Sequence, residues 1–285
     1  MNYRRIHRTS YVYLKRSFFW RRNSKPYISG DVFADNSDLD FYSPLLRGGH
    51  PTPDAIRDAR VIFCPSHRLE NLLDDFGSKI SAKVLILGNS DRDFDSFDFR
   101  LPKSVKVVFA QNLNFLHKSI RVLPIGIENL RLGVNGTPWL FSENQITKEK
   151  LNQILVGPFS FTHNERAEFR SLQNNDWLEI VEGRMTPLMY AKYSSRFRYI
   201  ASPRGNGLDT HRFWEALYRG STPIVKRNYW SQMVSDLGIP LEEVENYSEG
   251  MLSKIALKSN FSNFQPKSIK SLWWPFWKEE IRKVF

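Results

Sequence analysis

The residues with the clearest chemical potential lie in one segment, residues 199–225, where cations and one carboxylate surround the expected start of a helix. The segment predicts a strand, a loop containing Gly205 and Gly207, a helix and a further strand. We expect the two glycines to adopt backbone angles that other residues resist. The first turn of a helix has unpaired N–H groups and partial positive charge, which suits a phosphate group. Three further side chains add full or potential positive charge there: Arg204, His211 and Arg212.

Glu215 is the acidic residue of the predicted helix and lies one turn after His211 and Arg212, on the same face. A carboxylate close to a diphosphate would repel it, so the position fits another role. Accepting hydrogen bonds from ribose hydroxyls is the usual one. The segment therefore predicts a nucleoside-diphosphate site. The alternative is an ordinary strand–loop–helix turn with a surface pair of Arg212 and Glu215.

The loop itself adds polar groups to the predicted site. Asp209 or Thr210 is expected to cap the helix, and Gly220 is expected to end it in a left-handed conformation. Asn206 and Asp209 are placed to contact the base or the ribose, although capping explains Asp209 equally well. The loop lacks the third glycine of a dinucleotide fingerprint, and no Gly-Lys-Ser/Thr follows, which excludes a P-loop.

Residues 202–225 resemble the C-terminal signature of exostosin-like and related inverting glycosyltransferases of the GT-B type. In that pattern a Ser-Pro-x-Gly-x-Gly stretch leads into His-Arg-x-Trp-Glu-Ala-Leu and then Gly-x-x-Pro-Ile-Val, and this chain matches it almost without a gap. The resemblance implies inverting transfer of a sugar from a nucleoside-diphosphate sugar to a glycan or lipid-linked saccharide. It also implies that Arg212 pairs with the donor diphosphate and that Glu215 holds the ribose. The loop with Arg166 corresponds to one that places an arginine on the donor phosphates, the alternative being a helix-surface arginine.

Asp91 is the favoured general base, since it follows an expected buried strand and ligands of open α/β sheets bind at the carboxyl ends of strands. Its sequence context, Gly-Asn-Ser-Asp, weakly extends the resemblance. A second interpretation is an Asp-x-Asp metal site of Asp91 and Asp93, as in a metal-dependent glycosyltransferase. A third is an acidic loop of caps and turns. Because the other half of the chain supplies its own cations, we expect no metal and no cofactor beyond the donor.

The first half contains four further candidates on the acceptor side: Asn89, Ser90, Asn112 and Glu128. Asn112 either binds a sugar hydroxyl or closes a turn, and Glu128 either faces the cleft or caps a helix. Gly126 indicates a close backbone approach. His67 is the second choice of base, although a histidine at the start of a helix is more often a cap or a surface residue.

Composition limits the class of protein. The chain has 285 residues and a formal charge of +11. Because Cys64 is its one cysteine, neither an intrachain disulfide nor a zinc site of paired cysteines exists. The apolar runs are too short to span a bilayer, and Lys15 and Arg16 interrupt the apolar stretch that a signal peptide requires. We therefore predict a cytoplasmic protein, with peripheral contact at the inner face of a membrane as a further option.

The charge is concentrated before the first acidic residue, Asp31, where eight cations are interleaved with aromatic residues. Such an arm can bind nucleic acid, contact an anionic membrane or pack on the domain. We favour packing or membrane contact and expect no nucleic acid, because no recognised nucleic-acid motif accompanies the charge. A basic nucleic-acid-binding protein without catalysis remains the alternative function.

The apolar pattern predicts two successive α/β halves, and hence a GT-B-like fold of two facing Rossmann-like domains. Strands are expected at residues 61–64, 82–87, 105–110, 121–124, 153–156, 177–181 and 199–202, and helices at residues 54–60, 67–76, 164–172 and 187–192, followed by a short unit at residues 234–246. The expected domains are an N-terminal acceptor-side domain with the basic arm (residues 1–140), a donor domain (141–265) and a C-terminal helix that returns to the first domain (266–285). That helix contains four aromatic residues, Trp273, Trp274, Phe276 and Trp277, whose alternative role is insertion into a membrane interface.

Overall fold

The computed structural model describes residues 24–41, 51–142, 146–147, 149–258 and 264–285. The fold is α/β, with two parallel sheets of five strands each, as in a two-domain Rossmann-like arrangement. Within these ranges, no helix is long and apolar enough to cross a membrane. Seven of the eight cations of the basic arm lie outside the described residues, so contact of the arm with a membrane stays a prediction.

Strands β1 to β5 form the first sheet and β6 to β10 the second. Their bounds are β1 Leu39–Asp40, β2 Val61–Pro65, β3 Val84–Gly88, β4 Val107–Ala110, β5 Ile120–Val122, β6 Leu151–Val156, β7 Leu178–Ile180, β8 Phe197–Ala201, β9 Thr222–Lys226 and β10 Glu242–Val244. We call residues 24–142 the first half and residues 146–258 the second half.

Eight α-helices accompany the strands in the described ranges. Their bounds are α1 Gly30–Asp35, α2 Pro53–Asp58, α3 Leu69–Phe76, α4 Pro187–Ser194, α5 His211–Tyr218, α6 Tyr229–Asp236, α7 Glu249–Ala256 and α8 Trp274–Arg282. Short 3₁₀ helices cover Ser66–Arg68, Gly77–Lys79, Leu130–Leu132, Pro138–Phe141, Asn164–Ser171, Pro266–Ser268 and Lys270–Leu272.

The first sheet has its strands in sequential order, β1-β2-β3-β4-β5. Right-handed crossovers between strands in this order all fall on one face of the sheet. Helices α2 and α3 cover that face through Ile56, Leu69 and Leu72. The opposite face, which carries Phe109, needs another cover and receives α1 and α8.

Helix α8 packs on the first sheet through its tryptophans. Trp277 is 2% exposed and lies edge-on to Phe33 and Phe109, while Trp274 also contacts Phe33. Burial of such aromatic side chains contributes strongly to a core. The two buried tryptophans therefore serve packing, which leaves neither of them free to enter a membrane interface.

The second sheet has the order β10-β9-β8-β6-β7. The order reverses between β6 and β8, and ligands of such sheets bind in the crevice outside the carboxyl ends of the strands at this switch point. The loops that follow β6 and β8, residues 157–163 and 202–210, flank it. The sequence therefore places Arg166 and the Gly205–Gly207 loop at the position where this topology favours a ligand.

Several elements differ from the sequence-based expectation. Residues 164–172 were expected to be α-helical, but Asn164–Ser171 is a 3₁₀ helix in which only Phe169 is buried, so tertiary packing gives little support to an α-helix. Helix α6 begins at Tyr229, earlier than the unit expected at residues 234–246, because Asn228 and Ser231 form a capping box. Strand β5 ends at Val122, short of the expected residue 124.

Candidate functional site

The loop after β8 meets the loop after β3, which brings the two predicted site segments together. Arg204 donates to the carboxylate of Asp93, and the backbone N–H of Leu208 donates to the other oxygen of the same carboxylate at 3.0 Å. Asn206 Nδ2 donates to Asp91 Oδ2 at 3.2 Å. Asp91 is otherwise exposed, whereas both oxygens of Asp93 already have protein donors.

Asn112 joins the same two loops. Its Oδ1 accepts from the backbone N–H of Asp209 at 2.8 Å, and its Nδ2 donates to the carbonyl oxygen of Ser90 at 3.0 Å. The residue has a φ of 55°, which asparagine tolerates better than most residues. The side-chain amide of Asn112 thus holds the two loops together, and its contact with a sugar hydroxyl stays a prediction.

The reason for the two loop glycines differs from the expected one. Neither Gly205 nor Gly207 has a positive φ, so the prediction of unusual backbone angles is wrong. The requirement is space: a Cβ at Gly207 would lie 2.8 Å from Asn112 Oδ1, and one at Gly205 would lie 3.0 Å from Arg166 Nη2. The Asn112 amide therefore leaves no room for a β-carbon at residue 207, whereas Arg166 leaves a tight space at residue 205.

Asp209 is buried beneath the loop, at 3% exposure. Its Oδ1 accepts from Trp214 Nε1 at 2.7 Å and its Oδ2 from the backbone N–H of Ile125 at 2.8 Å. Burial raises the pKa of this carboxyl to about 7, although its hydrogen bonds act in the opposite direction. Because its two oxygens face Trp214 and Ile125, Asp209 ties the second half to the first.

The N-cap position of α5 belongs to Thr210, but its side chain makes no capping hydrogen bond, so this part of the capping prediction is wrong. Its Oγ1 is buried without a partner among the described residues. A buried hydroxyl that lacks a partner costs free energy. The hydrogen-bonding capacity of this hydroxyl is therefore unused by the described residues. The left-handed conformation expected of Gly220 is confirmed by its φ of 70°.

His211 faces the first half. Its Nδ1 lies 2.8 Å from the carbonyl oxygen of Gly126, and since a carbonyl can only accept, Nδ1 carries the hydrogen. Gly126 has a φ of 67°, and a Cβ there would lie 2.1 Å from the carbonyl oxygen of Ile28. The close backbone approach predicted at Gly126 is thus confirmed.

Arg166 and Arg212 converge on the loop after β6. Arg212 donates to the carbonyl oxygens of Gly157 and Pro158, at 2.8 and 2.9 Å, and to Tyr190 Oη at 2.7 Å. Arg166 donates to the carbonyl oxygens of Arg204, at 2.9 Å, and Ser160, at 2.6 Å. Their guanidinium groups lie over the Phe159 ring, 5.4 Å from its centroid for Arg166 and 5.1 Å for Arg212.

The arginine pair has no direct carboxylate partner among the described residues, although the charge of Glu165 acts favourably on Arg166 from a greater distance. Neither side chain forms an ion pair with a carboxylate of the described residues. The pKa of Arg166 is lowered, first by its burial and then by the positive charge of Arg212. An anion placed between the two guanidinium groups would relieve this repulsion.

Glu215 does not pair with Arg212. It is 8% exposed, and its Oε2 accepts from Arg219 Nη1 at 3.4 Å, so the alternative of a surface pair with Arg212 is wrong. Arg219 in turn lies over the rings of Phe141 and Tyr190, 4.7 and 5.5 Å from their centroids. The contact of Glu215 with a ribose stays a prediction.

The acceptor-side candidates lie at the carboxyl end of the first sheet and are largely bonded within the protein. Asn89 accepts from Asn129 Nδ2 at 2.9 Å, and Ser90 Oγ accepts from the backbone N–H of Arg92 at 3.2 Å. Glu128 accepts from the backbone N–H of Asn135 at 2.6 Å, which holds the following loop.

His67 belongs to the 3₁₀ turn Ser66–Arg68, which directly follows β2 and so lies at the same edge of the sheet as Asp91. Its pKa is lowered, first by partial burial and then by the charge of Arg68. A histidine whose pKa is lowered is more fully neutral at neutral pH, as a base must be.

Sequence reasoning missed several residues that shape this site. Asp31 is buried in α1, accepts from Arg131 Nε at 2.8 Å and lies 3.5 Å from Asn89 Nδ2. Tyr190 and Phe159 position the arginine pair. No local pattern distinguishes Asp31 and Tyr190, since their partners Arg131 and Arg212 are distant in sequence.

Within the described residues, no group of three or more His, Cys, Asp or Glu side chains is arranged to hold a metal ion. The alternative of a metal site at Asp91 and Asp93 would require Asp93 to leave Arg204 and Leu208. No protein-family model matches the chain, and no curated protein matches it significantly.

Proposed function

We propose that this chain is a glycosyltransferase that moves a sugar from a nucleoside-diphosphate sugar to a hydroxyl of a glycan or a lipid-linked saccharide. The observation that carries the proposal is the arginine pair, Arg166 and Arg212, whose hydrogen bonds within the described residues go to backbone carbonyls and the Tyr190 phenol. Unpaired cations at a partly buried site are unfavourable unless an anion completes it. A diphosphate is an anion of matching charge, and guanidinium groups bind phosphate oxygens in bidentate geometry.

The location of the pair supports the same ligand. It lies at the switch point of the second sheet, beside the start of α5 and the unpartnered hydroxyl of Thr210. Helix N–H groups and cations that stabilise a departing diphosphate lower the barrier for breaking its bond to the sugar. In the proposed reaction, Arg166, Arg212 and the start of α5 carry the charge that a divalent cation carries in metal-dependent enzymes.

Asp91 is the proposed general base. Its exposed carboxylate belongs to the first half and lies against the loop after β8, at hydrogen-bond distance from Asn206. It would take the proton of the acceptor hydroxyl as that oxygen attacks the anomeric carbon and the bond to the diphosphate breaks. A single displacement of this kind inverts the configuration of the sugar. Arg204 is not part of the proposed anion site, since Asp93 already neutralises it.

The test of the donor site is calorimetric titration with UDP, GDP, CMP and dTDP in EDTA, repeated with magnesium or manganese. We expect one nucleoside diphosphate to bind in EDTA. Arg166→Gln and Arg212→Gln should each weaken it about tenfold or more, because a charge-assisted hydrogen bond contributes about 1.5–3 kcal/mol. Arg170→Gln is the matched control, since Arg170 is exposed and lies over Phe161 rather than at the pair.

Binding that occurs only with a metal would favour the Asp91/Asp93 alternative. Absence of binding under all these conditions would refute the proposed function.

Asp91→Asn tests the base separately. We expect unchanged nucleotide affinity and a loss of roughly 10²- to 10⁴-fold in sugar transfer, the range over which general bases act. Release of the nucleoside diphosphate from the matching sugar donor is the measurement. If transfer persists in this variant, Asp91 is not the base, and His67→Gln is the next variant to measure.

A further inference from the structure

A cavity lies between the first and second halves of the chain. It has a volume of about 580 Å³ and is lined by six residues: Asn114, Arg227, Asn228, Tyr229, Gln232 and Glu243. Asn114 belongs to the first half and the others to the second, so the cavity spans both. Its size is in the range of small-ligand pockets. None of these residues belongs to the predicted site.

The chemistry of the lining excludes two classes of ligand. Arg227 is the cation of the lining, and it already pairs with Glu243 at 3.1 Å and with Glu245 at 2.9 Å, so the cavity has no excess positive charge for a phosphate. The part of the chain that the structure describes contributes no aliphatic side chain to the lining, which disfavours a purely apolar ligand. What remains is a neutral ligand rich in hydrogen-bonding groups.

Tyr229 supplies an apolar surface within this polar lining. Tyr229 is the first residue of α6 and is 52% exposed, so much of this large aromatic residue remains accessible to solvent. Neither Tyr229 nor Gln232 has a side-chain hydrogen bond among the described residues. A ring face next to free amide and hydroxyl groups suits a ligand that has both C–H surfaces and hydroxyls.

The rest of the lining is held in place by the protein. Asn114 Oδ1 accepts from the backbone N–H of Tyr229 at 3.2 Å, and its Nδ2 donates to Asp95 at 2.8 Å. Asn228 is fixed by its capping box with Ser231. Each amide keeps one hydrogen and one lone pair for a ligand. Groups held in this way lose little conformational entropy when a ligand binds.

The chain itself limits the distance from this cavity to Asp91. Asn114 is hydrogen-bonded to Asp95, which is only four residues after Asp91. Four residues span at most about 14 Å when fully extended. An acceptor of a few sugar units is therefore long enough to place one hydroxyl at Asp91 and another sugar unit in the cavity.

We propose that this cavity binds saccharide units of the acceptor, with the Tyr229 ring under a sugar face and Gln232 and Asn114 bonded to its hydroxyls. The assignment of the saccharide as an acceptor rests on the proposed function. It gives the chain a preference for an oligosaccharide over a single sugar. It also places part of the acceptor recognition in the second half, whereas the predicted acceptor residues all lie in the first.

The test is binding of the full chain to an array of neutral oligosaccharides, followed by titration of the strongest binder in a calorimeter. Tyr229→Ala should weaken binding of that oligosaccharide about tenfold, because it removes the ring face on which the sugar packs. Tyr229→Phe keeps the ring and should bind within about twofold of the wild type. Alanine at the first position of α6 favours the helix, so the variant should fold.

The outcomes separate this inference from the proposed function. No oligosaccharide bound by the wild type, or equal binding by Tyr229→Ala, overturns the saccharide cavity even when a nucleoside diphosphate binds. Oligosaccharide binding that depends on Tyr229, in a chain that binds no nucleoside diphosphate, supports the cavity and refutes the donor site. Nucleotide affinity should be the same in Tyr229→Ala and the wild type.

Discussion

The contact between Gly207 and Asn112 gives a sharp test of how the two halves meet. A methyl group at residue 207 would lie 2.8 Å from Asn112 Oδ1 and 2.9 Å from its Nδ2. The Asn112 amide cannot move away freely, because it bonds to the backbone of Asp209 and Ser90. Gly207→Ala should therefore destabilise the protein even though Gly207 has no positive φ.

The magnitude follows from the two costs involved. Overpacking at a fixed site costs about 1–3 kcal/mol. Asn112→Ala alone should cost a similar amount, about 1–3 kcal/mol, because it leaves the buried N–H of Asp209 without its acceptor. In the double variant the amide is gone and the methyl group has space. The cost of alanine at residue 207 should then nearly disappear.

Urea denaturation of the wild type, both single variants and the double variant measures this coupling. We expect the double variant to be about 1–3 kcal/mol more stable than the sum of the single effects predicts. The Gly250→Ala variant is a matched control, because nothing lies within 4 Å of a Cβ at Gly250. Effects that add within about 0.5 kcal/mol would refute the close contact of the two loops.

Two further predictions concern the core around this junction. The pKa of Asp209 is raised to about 7 in the folded state. Between about pH 4 and pH 7 the folded protein therefore holds a proton on this carboxyl that the unfolded chain has lost. The free energy of unfolding should fall as the pH rises through this range. Between pH 4 and pH 7 the free energy of unfolding of the wild type should fall by on the order of a few kcal/mol relative to that of Asp209→Asn. Urea denaturation of both proteins at pH 4 and at pH 7 measures this difference. The same pH dependence in the two proteins would contradict the raised pKa of Asp209. Trp277→Ala should cost about 3–5 kcal/mol in the same assay, whereas Trp139→Ala, at a half-exposed position, should cost far less. Equal losses from the two tryptophan variants would contradict the packing of α8 on the first sheet.

The sequence predicts parallel strands such as β2 and β3 well because each of them contains a continuous run of apolar residues. Residues 61–64 and 82–87 were expected to form strands, and β2 and β3 lie there with every residue buried. Apolar periodicity is a local signal, and burial on both faces of a parallel sheet makes it strong. Helix α1 was missed, because five of its six residues are buried, Asp31 among them, and no alternation of polar and apolar residues marks a helical face.

The candidate site was predicted less completely, because its contacts join residues far apart in the sequence. The sequence identified Arg204, Asp93 and Gly207 as site residues, but it gave no indication that Arg204 bonds to Asp93 or that Asn112 excludes a side chain at residue 207. Each of these pairs spans roughly a hundred residues, and no local pattern encodes such a pairing. Asp209 shows the same limit: capping explained it locally, whereas its partners are Trp214 and Ile125.

These long-range contacts determine how far the two halves can separate. Phe213, Trp214 and Leu217 of α5 are fully buried in one apolar cluster with Leu123 and Ile127 of the first half. Opening the cleft widely would expose that cluster and break the bonds of Asp209 and Asn112 across it, at a cost comparable with the stability of a whole domain. The halves should therefore unfold as one cooperative unit. Ligands should enter through movements of side chains and loops such as Arg204 and residues 157–163, because a rotation of one half against the other would break this shared core.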